Sequence, residues 1–390
     1  MATPSKRAAS QGQPTARFGL PRADESARGG LSSRALWAGL IGVTAVVLLL
    51  AVFAAEFGLR WLQQRKHGTA GTVEQQYRID EQLGLRVPIA NLRLPSIQTN
   101  SLGFRGPEIA VPKPEGRLRL AFLGASTTWC AEVSSNAQVW AQIVAEDLQR
   151  AFPASHIDFV NGGVPGYTVR SSLKNLEARV APLRPDVIVI YHAANDMSAE
   201  LRRIAAEKGV YDRARVESDS WLARHTLLFN LAEKNIRVWT AQHRSERRID
   251  TLEVDWSTLG AAFRTELRQL VRGAQRTAAV VAIATFSTRL RAEQSAKEQL
   301  DAAASALYYM PFMTPESLLQ AYARYNEVIR EVANETGALL IEGEHDIPGD
   351  AAHFADSVHF TDAGSRRMAA RVSQALARDS RVEAVVRAMQ

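Results

Sequence analysis

The sequence predicts an α/β protein in which a parallel sheet of about five strands lies between two layers of helices. Five short, largely apolar runs are the candidate strands: 118–123, 157–161, 186–191, 279–285 and 338–342. Their nearly continuous apolar character is typical of strands that are covered on both faces. Amphipathic stretches separate the runs, and this alternation of strand and helix predicts right-handed crossovers between parallel strands.

The helices predicted between and after these strands cover 137–151, 169–180, 259–277, 315–336 and 361–377. The last follows Thr361, a typical N-cap, and has Asp362 in its first turn. Two stretches, 199–256 and about 288–315, exceed what the sheet needs. We expect 199–256 to be an insertion in the α/β domain, which either roofs a site or fills space.

Residues 35–55 form an uncharged apolar stretch ahead of the predicted domain. A helix of about 21 residues rises about 1.5 Å per residue and so matches the ~30 Å hydrocarbon thickness of a bilayer. The stretch therefore predicts one transmembrane anchor. A signal peptide cleaved after Ala54 is the alternative, although such peptides have shorter apolar regions, of about 7–15 residues.

Basic residues flanking the apolar stretch predict its orientation. Six basic residues precede the stretch: Lys6, Arg7, Arg17, Arg22, Arg28 and Arg34. Only two acidic residues do so. Because Lys and Arg in short flanks tend to remain in the cytoplasm, we expect the N-terminus to be cytoplasmic. Residues 1–34 are predicted to be a disordered cytoplasmic tail, 56–115 a juxtamembrane helix and extended lead-in, and 116–390 a periplasmic or otherwise extracytoplasmic α/β domain.

Composition excludes some classes of protein. The net charge is +6 and the pI is near 9.6, yet the Arg residues are spread along helical segments without an aromatic-interleaved basic patch, so no nucleic-acid partner is predicted. Cys130 is the only cysteine, which rules out an intramolecular disulfide. We expect it to be a small buried thiol. The sequence does not indicate an oligomeric state.

Polar residues and glycines follow the predicted strands, where open α/β sheets bind their ligands. Ser126 follows the first strand at the start of a helix, whose free N–H groups favour negative charge. Gly166 follows the second strand and can bring a backbone N–H close to an oxygen atom. Asn195 follows the third strand and offers an amide donor, while Asp196 could fix its loop. Each feature alone is equally explained by a cap or a turn.

The segment DSVHFTDAG places Asp356 three residues before His359, close enough for the carboxylate to orient the imidazole. A hydroxyl, two possible oxyanion donors and a base then lie where a parallel sheet would gather them. Together they predict an acyl-transfer site.

A metal site is the main alternative for the same region. Acidic residues and histidines cluster there: His345, Asp346, Asp350, His353, Asp356 and His359. Their spacing matches none of the usual zinc motifs, and the sequence has no Walker or dinucleotide-binding glycine motif. Neither a metal nor another cofactor is predicted.

The blocks FLGASTTW, VNGGVPGYT, YHAANDM and DSVHFTDAG, within residues 117–377, resemble the SGNH (GDSL-like) hydrolase superfamily in order and spacing. The resemblance implies a flavodoxin-like fold and a serine esterase. It implies that Ser126 is the nucleophile, that Asp356 and His359 complete the triad, and that Gly166 and Asn195 join the Ser126 backbone N–H in the oxyanion hole. The lead-in NSLGFRGPE also resembles a membrane-anchored bacterial subgroup associated in part with cell-envelope polysaccharides, which implies an acylated small molecule or glycan as substrate.

Two departures from the family pattern bear on activity. Ala125 stands where the family has Asp in Gly-Asp-Ser, and Ala193 stands where it has Gly before Asn195. Neither removes a catalytic group, but the turn before Ser126 must be supported differently. Two alternatives to an esterase therefore stay open: an O-acyltransferase that modifies a cell-envelope polysaccharide, and a catalytically silent, membrane-tethered binding or assembly protein.

Overall fold

The computed structural model describes residues 33–67, 73–211, 220–249 and 251–389. The predicted tail lies outside these residues except for Ser33 and Arg34, and parts of the predicted insertion, 212–219 and 250, do so as well. The chain divides into two compact units, Met1–Ala54 and Ala55–Gln390.

The described residues of the first unit are helical. They belong to the helix Ser33–His67, which continues into the second unit. Its stretch Ser33–Arg65 is long and apolar enough to cross a membrane, and the apolar side chains of residues 36–53 are exposed. The predicted N-terminal apolar helix is therefore present.

A five-stranded parallel sheet forms the centre of the second unit. In chain order the strands of this unit are the hairpin pair β1 (Tyr77–Asp80) and β2 (Leu85–Pro88), and then the sheet strands β3 (Arg117–Gly124), β4 (His156–Asn161), β5 (Val187–Tyr191), β6 (Val280–Ala284) and β7 (Leu339–Ile341). The order across the sheet is β4-β3-β5-β6-β7, which is the flavodoxin-like arrangement. The predicted fold class is confirmed, and each strand lies within one residue of its predicted bounds.

Helices cover both faces of this sheet. The helices Trp140–Ala151 and Asp362–Arg378 pack together, while Ala261–Gln275 packs against both Val169–Asn175 and Pro315–Thr336. The other α-helices among the described residues after 116 are Ser126–Trp129, Ala194–Glu207, Trp221–His225, Leu227–Glu246, Ala296–Ala302, Ala304–Tyr309 and Ser380–Ala388. β5 at the centre is fully buried, which explains its unbroken apolar sequence.

Two predicted helices differ from the observed ones. The stretch 137–151 begins instead as the 3-10 turn Asn136–Gln138, and Val139 is extended before the helix Trp140–Ala151 starts. The stretch 169–180 is α-helical only over Val169–Asn175 and continues as the π-helical Leu176–Val180. The helix Pro315–Thr336 has the predicted bounds, with Thr314 as its N-cap and Gly337 as its C-cap.

The lead-in folds against the sheet domain and is more than an extended segment. β1 and β2 pair as an antiparallel hairpin. The hairpin and the region that follows it form a small second apolar cluster with residues near Ser126. Its members are Tyr77, Leu94, Ile97, Ala125, Trp129, Val164 and Tyr167. This cluster encloses Ala125, the residue that replaces the family's Asp.

Candidate active site

Ser126 is the first residue of the short helix Ser126–Trp129, which directly follows β3. The turn before it requires Gly124, because a Cβ at that position would lie 2.0 Å from Oγ1 of Thr128. At the other end of the helix, Cys130 has a positive φ of 58° and donates its backbone N–H to the carbonyl of Ser126 at 2.7 Å. The side chain of Ser126 is thus half-buried at the carboxyl edge of the sheet.

His359 joins Ser126 to Asp356. Nε2 of His359 lies 2.7 Å from Oγ of Ser126, and Nδ1 lies 2.8 Å from Oδ2 of Asp356. The loop holds Asp356 in turn, because Oδ1 accepts the backbone N–H groups of Val358 and His359, each at 2.9 Å. The carboxylate thereby fixes the orientation of the imidazole and leaves Nε2 directed at the hydroxyl.

The ionisation of this pair reflects the contacts between its members. Burial disfavours the charged forms of both Asp356 and His359, but the hydrogen bond between them and the charge of each partner outweigh this effect. They lower the pKa of Asp356 and, with the charge of Glu132, raise the pKa of His359 to about 9. The Asp356 carboxylate therefore favours a positively charged imidazole, the form that develops when His359 takes a proton.

Gly166 and Asn195 lie at the ends of the two strands that flank β3. Gly166 has a φ of 85°, a conformation that favours glycine. Nδ2 of Asn195 donates one N–H to the carbonyl of Tyr167 at 2.9 Å, which leaves its second N–H for another acceptor. With Ser126, Asp356 and His359, both residues line one cavity of about 710 Å³. The structure thus brings all five sequence-predicted site residues together.

Asp196 and His192 support the loop that carries Asn195. Oδ1 of Asp196 accepts the backbone N–H of Val169 at 3.0 Å, and Nε2 of His192 lies 2.7 Å from Oγ of Ser172. Burial lowers the pKa of His192 to about 3 and raises the pKa of Asp196 to about 7. Asp196 thus ties the end of β5 to the segment after Gly166, as the sequence suggested.

Sequence reasoning missed Glu132, a second carboxylate at the imidazole. Its Oε1 lies 4.0 Å from Nδ1 of His359, on the same ring nitrogen that Asp356 contacts. Burial raises the pKa of Glu132. The only available signal was its position six residues after Ser126.

The lead-in supplies the support for the Ser126 turn. The guanidinium of Arg105 is buried and donates to the carbonyls of Trp129, Cys130 and Ser96 at 2.7, 2.6 and 2.7 Å. It therefore satisfies carbonyl groups at the end of the helix that Ser126 begins. The segment NSLGFRGPE contains this residue, but the sequence alone did not indicate its contact.

The cavity walls come from several parts of the chain. The lead-in and the apolar helix's C-terminal end contribute Gln63, Gln76, Tyr77, Arg86 and Ile97, and the 288–315 stretch contributes Ser305, Ala306, Tyr309 and Met310. Within the described part of the 199–256 insertion, only Ala199 and Arg202 line the cavity. Of the described insertion, therefore, only the helix Ala194–Glu207 covers the cavity. Covering a site was one of the two roles expected of the insertion.

The His and Asp side chains of the alternative metal site form pairs with one another. Nδ1 of His353 lies 2.8 Å from Oδ1 of Asp350, and Asp356 pairs with His359. Among the described residues, no group of three or more His, Cys, Asp or Glu side chains is arranged to hold a metal ion.

A parallel flavodoxin-like sheet whose carboxyl edge joins Ser, His and Asp side chains defines a serine hydrolase of the α/β/α type. A family model described as the GDSL-like lipase/acylhydrolase family matches residues 122–367, well over half of the chain. The chain belongs to the GDSL-like lipase/acylhydrolase family. It is accordingly a serine hydrolase that acts on ester bonds.

Two solved structures are similar to part of the chain at low identity. An acetylxylan esterase from Geobacillus stearothermophilus is 18% identical over 66% of this chain and 93% of its own, with a TM-score of 0.41. A lipase/acylhydrolase from Enterococcus faecalis is 16% identical over 67% of this chain and 95% of its own, with a TM-score of 0.39. Similarity at this level does not extend to substrate. A search of curated proteins finds no match.

Proposed function

We propose that the protein is a membrane-anchored serine esterase that removes acyl groups from an O-acylated substrate, with an acetylated glycan as one candidate. Ser126 is the nucleophile, His359 the general base and Asp356 the residue that orients His359. The observation that carries this proposal is the unbroken chain of contacts from Ser126 through His359 to Asp356, at 2.7 and 2.8 Å.

In the proposed reaction His359 takes the proton of Ser126 while Oγ attacks the ester carbonyl. The tetrahedral intermediate collapses as His359 returns the proton to the leaving alcohol, and an acyl-serine remains. Water, deprotonated by His359, then attacks the acyl-serine. As the second tetrahedral intermediate collapses, His359 returns the proton to Oγ of Ser126 and the carboxylic acid is released. The Asp356 carboxylate stabilises the imidazolium that forms in both steps.

Three donors are assigned to the oxyanion: the backbone N–H groups of Ser126 and Gly166, and Nδ2 of Asn195. The positive φ of Gly166 and the hydrogen bond from Asn195 to Tyr167 support this assignment, because they fix both groups beside the cavity. Donors held in advance stabilise developing charge without having to reorganise.

Hydrolysis and acyl transfer differ only in the molecule that accepts the acyl group from Ser126, which is water in one case and a hydroxyl group of a second substrate in the other. The half-buried side chain of Ser126, in a cavity that the described insertion residues cover little, supports access by water. Product analysis with an acetylated donor and a glycan acceptor separates the two reactions. Free acetate is expected, and quantitative appearance of acetyl on the acceptor would identify a transferase.

Membrane anchoring is part of the proposal. We assign residues 35–55 to a single membrane span, with the N-terminus in the cytoplasm and residues 56–390 on the other side. The length and composition of Ser33–Arg65 and the basic residues that precede it support this assignment.

Covalent labelling tests the proposed nucleophile. The full-length protein is treated with a serine-reactive fluorophosphonate, and the modified residue is identified by mass spectrometry. We expect the label on Ser126 and none on the Ser126→Ala variant. Ser257→Ala, which changes an exposed serine outside the cavity, is the matched control and should label normally. Labelling that persists in Ser126→Ala would overturn the assignment.

Single added cysteines test the topology. Ser5→Cys and Glu383→Cys lie on opposite sides of the proposed span. In intact cells with a permeable outer membrane, a membrane-impermeant maleimide is expected to label Glu383→Cys only. Labelling of Ser5→Cys without prior lysis would contradict the orientation.

A further inference from the structure

Arg86 places a positive charge in the cavity beside Gly166. It lies on β2, outside residues 122–367 that the family model matches. Its Nη2 donates to the carbonyl of Pro165 and lies 3.1 Å from the position that a Cβ on Gly166 would occupy. The cation therefore lies next to a proposed oxyanion donor and is brought there by the lead-in.

Arg86 is held on both its backbone and its side chain. The backbone carbonyl of Arg86 accepts a hydrogen bond from the hydroxyl of Tyr167 at 2.7 Å. The guanidinium carbon lies 5.0 Å from the centre of the Tyr77 ring. An arginine fixed in this way loses little further freedom when a ligand binds, which favours affinity.

No described residue neutralises the charge of Arg86. Among the described residues no carboxylate pairs with Arg86, and the structure gives its guanidinium one protein acceptor, the carbonyl of Pro165. The two carboxylates of the cavity, Asp356 and Glu132, lie at Nδ1 of His359 instead, at 2.8 and 4.0 Å. A guanidinium has five N–H donors, so most of them remain for a ligand.

We propose that the cavity selects esters that carry a carboxylate close to the acylated oxygen, and that Arg86 binds this carboxylate. A guanidinium matches a carboxylate with two parallel hydrogen bonds, which gives both affinity and orientation. An O-acetylated uronic acid has both groups on one sugar ring and is the simplest member of this class. The inference rests on the proposed function, because the bound ester is cleaved at Ser126.

A matched pair of substrates tests the selectivity. Acetate release by the full-length enzyme is measured on O-acetylated methyl glucuronoside and on its neutral 6-methyl ester, which differ in one charge. The wild type is expected to prefer the acid. In Arg86→Gln, kcat/KM for the acid should fall about 10- to 100-fold more than for the methyl ester, mainly through KM. Arg86→Lys, which keeps the charge but loses the planar fork, should be intermediate.

Arg78→Gln is the control for folding of the hairpin. Arg78 lies on β1, its side chain is exposed, and it does not line the cavity. This variant should keep the wild-type preference for the acid. Equal kcat/KM for the two substrates in the wild type, or an unchanged preference in Arg86→Gln, would overturn the proposal.

Binding without catalysis separates this proposal from the proposed function. If neither substrate releases acetate, the esterase assignment has failed, and titration calorimetry with unacetylated methyl glucuronoside decides the role of Arg86. The wild type should bind it at least about tenfold more tightly than Arg86→Gln does. Equal affinity would refute the carboxylate site on its own.

Discussion

The carbonyl oxygen of Trp129 accepts a hydrogen bond from Nη1 of Arg105 at 2.7 Å, although the two residues come from different parts of the fold. Arg105 belongs to the lead-in, and Trp129 ends the helix that Ser126 begins. The Gly-Asp-Ser pattern that the sequence resembles has an acidic residue before the serine, and here Ala125 lies in an apolar cluster instead. Support for the turn thus comes from a buried cation at the end of the helix.

Replacing Arg105 should destabilise the domain. Arg105→Met leaves three carbonyl groups without their donor and is expected to lower the free energy of unfolding by about 2–4 kcal/mol. Denaturant unfolding followed by circular dichroism measures this change. Arg203→Met is the control, because Arg203 is exposed and pairs with Glu207 on its own helix; its effect should stay below about 0.5 kcal/mol. Equal effects would refute the supporting role of Arg105.

Activity should rise into the alkaline range. His359 acts as a base only when it is neutral, and its pKa is raised to about 9, because the hydrogen bond that it donates to Asp356 and the charges of Glu132 and Asp356 outweigh burial. Below that pH, kcat/KM is expected to fall about tenfold per unit. A pH–rate profile with a non-titrating ester from pH 6 to about 10 checks this. A plateau already reached at pH 7 would contradict it.

Glu132 should determine where the midpoint of this pH–rate profile lies. In Glu132→Gln the negative charge 4.0 Å from Nδ1 is removed, so the pKa of His359 falls and the midpoint of the profile moves to lower pH. A shift on the order of one pH unit is expected. Glu293→Gln, which changes an exposed carboxylate outside the cavity, should leave the midpoint in place. An unshifted midpoint in Glu132→Gln would show that the second carboxylate does not act on the base.

Asn195 should affect turnover more than binding. Asn195→Ala removes one of three proposed oxyanion donors, and kcat is expected to drop about 10²–10³-fold with little change in KM. Steady-state kinetics on a short-chain nitrophenyl ester measure both constants. Asn230→Ala is the control, because it alters an amide outside the cavity that donates to the carbonyl of Ala223 on the preceding helix. A full-activity Asn195→Ala enzyme would remove Asn195 from the oxyanion hole.

The native thiol should be unreactive. Cys130 is 2% exposed, and burial raises its pKa to about 12. Iodoacetamide at pH 8 is expected to leave the folded protein unmodified and to alkylate Cys130 only after denaturation. Mass spectrometry distinguishes the two states. Rapid modification of the folded protein would show that the Ser126 turn opens.

The sheet and the ends of its strands could be predicted from the sequence because their signals are local. β5 is an unbroken apolar run and β3 is apolar apart from Arg117 and Arg119, while Ser126 and Asn195 come within four residues of the strand ends. A parallel sheet then gathers such residues at one edge, whatever their distance along the chain. His359 is 233 residues from Ser126 in sequence, yet the two side chains are in hydrogen-bond contact.

The contribution of the lead-in could not be predicted, because it depends on contacts between distant segments. Arg105 and Arg86 lie in stretches without hydrophobic periodicity, and nothing near them in sequence indicates that one supports a helix end and the other enters the cavity. Glu132 was missed for the same reason. The partner that gives it a role, His359, is supplied by a loop near the C-terminus.

The apolar cluster around Trp129 has a practical consequence for recombinant work. Tyr77, Leu94 and Ile97 shield the fully buried indole of Trp129. A gene fragment starting at residue 116 would keep Ser126 and His359 but expose this indole to water and omit Arg86 and Arg105. Failure of such a truncated product to cleave esters would reflect a damaged fold and would say nothing about the chemistry of the intact enzyme.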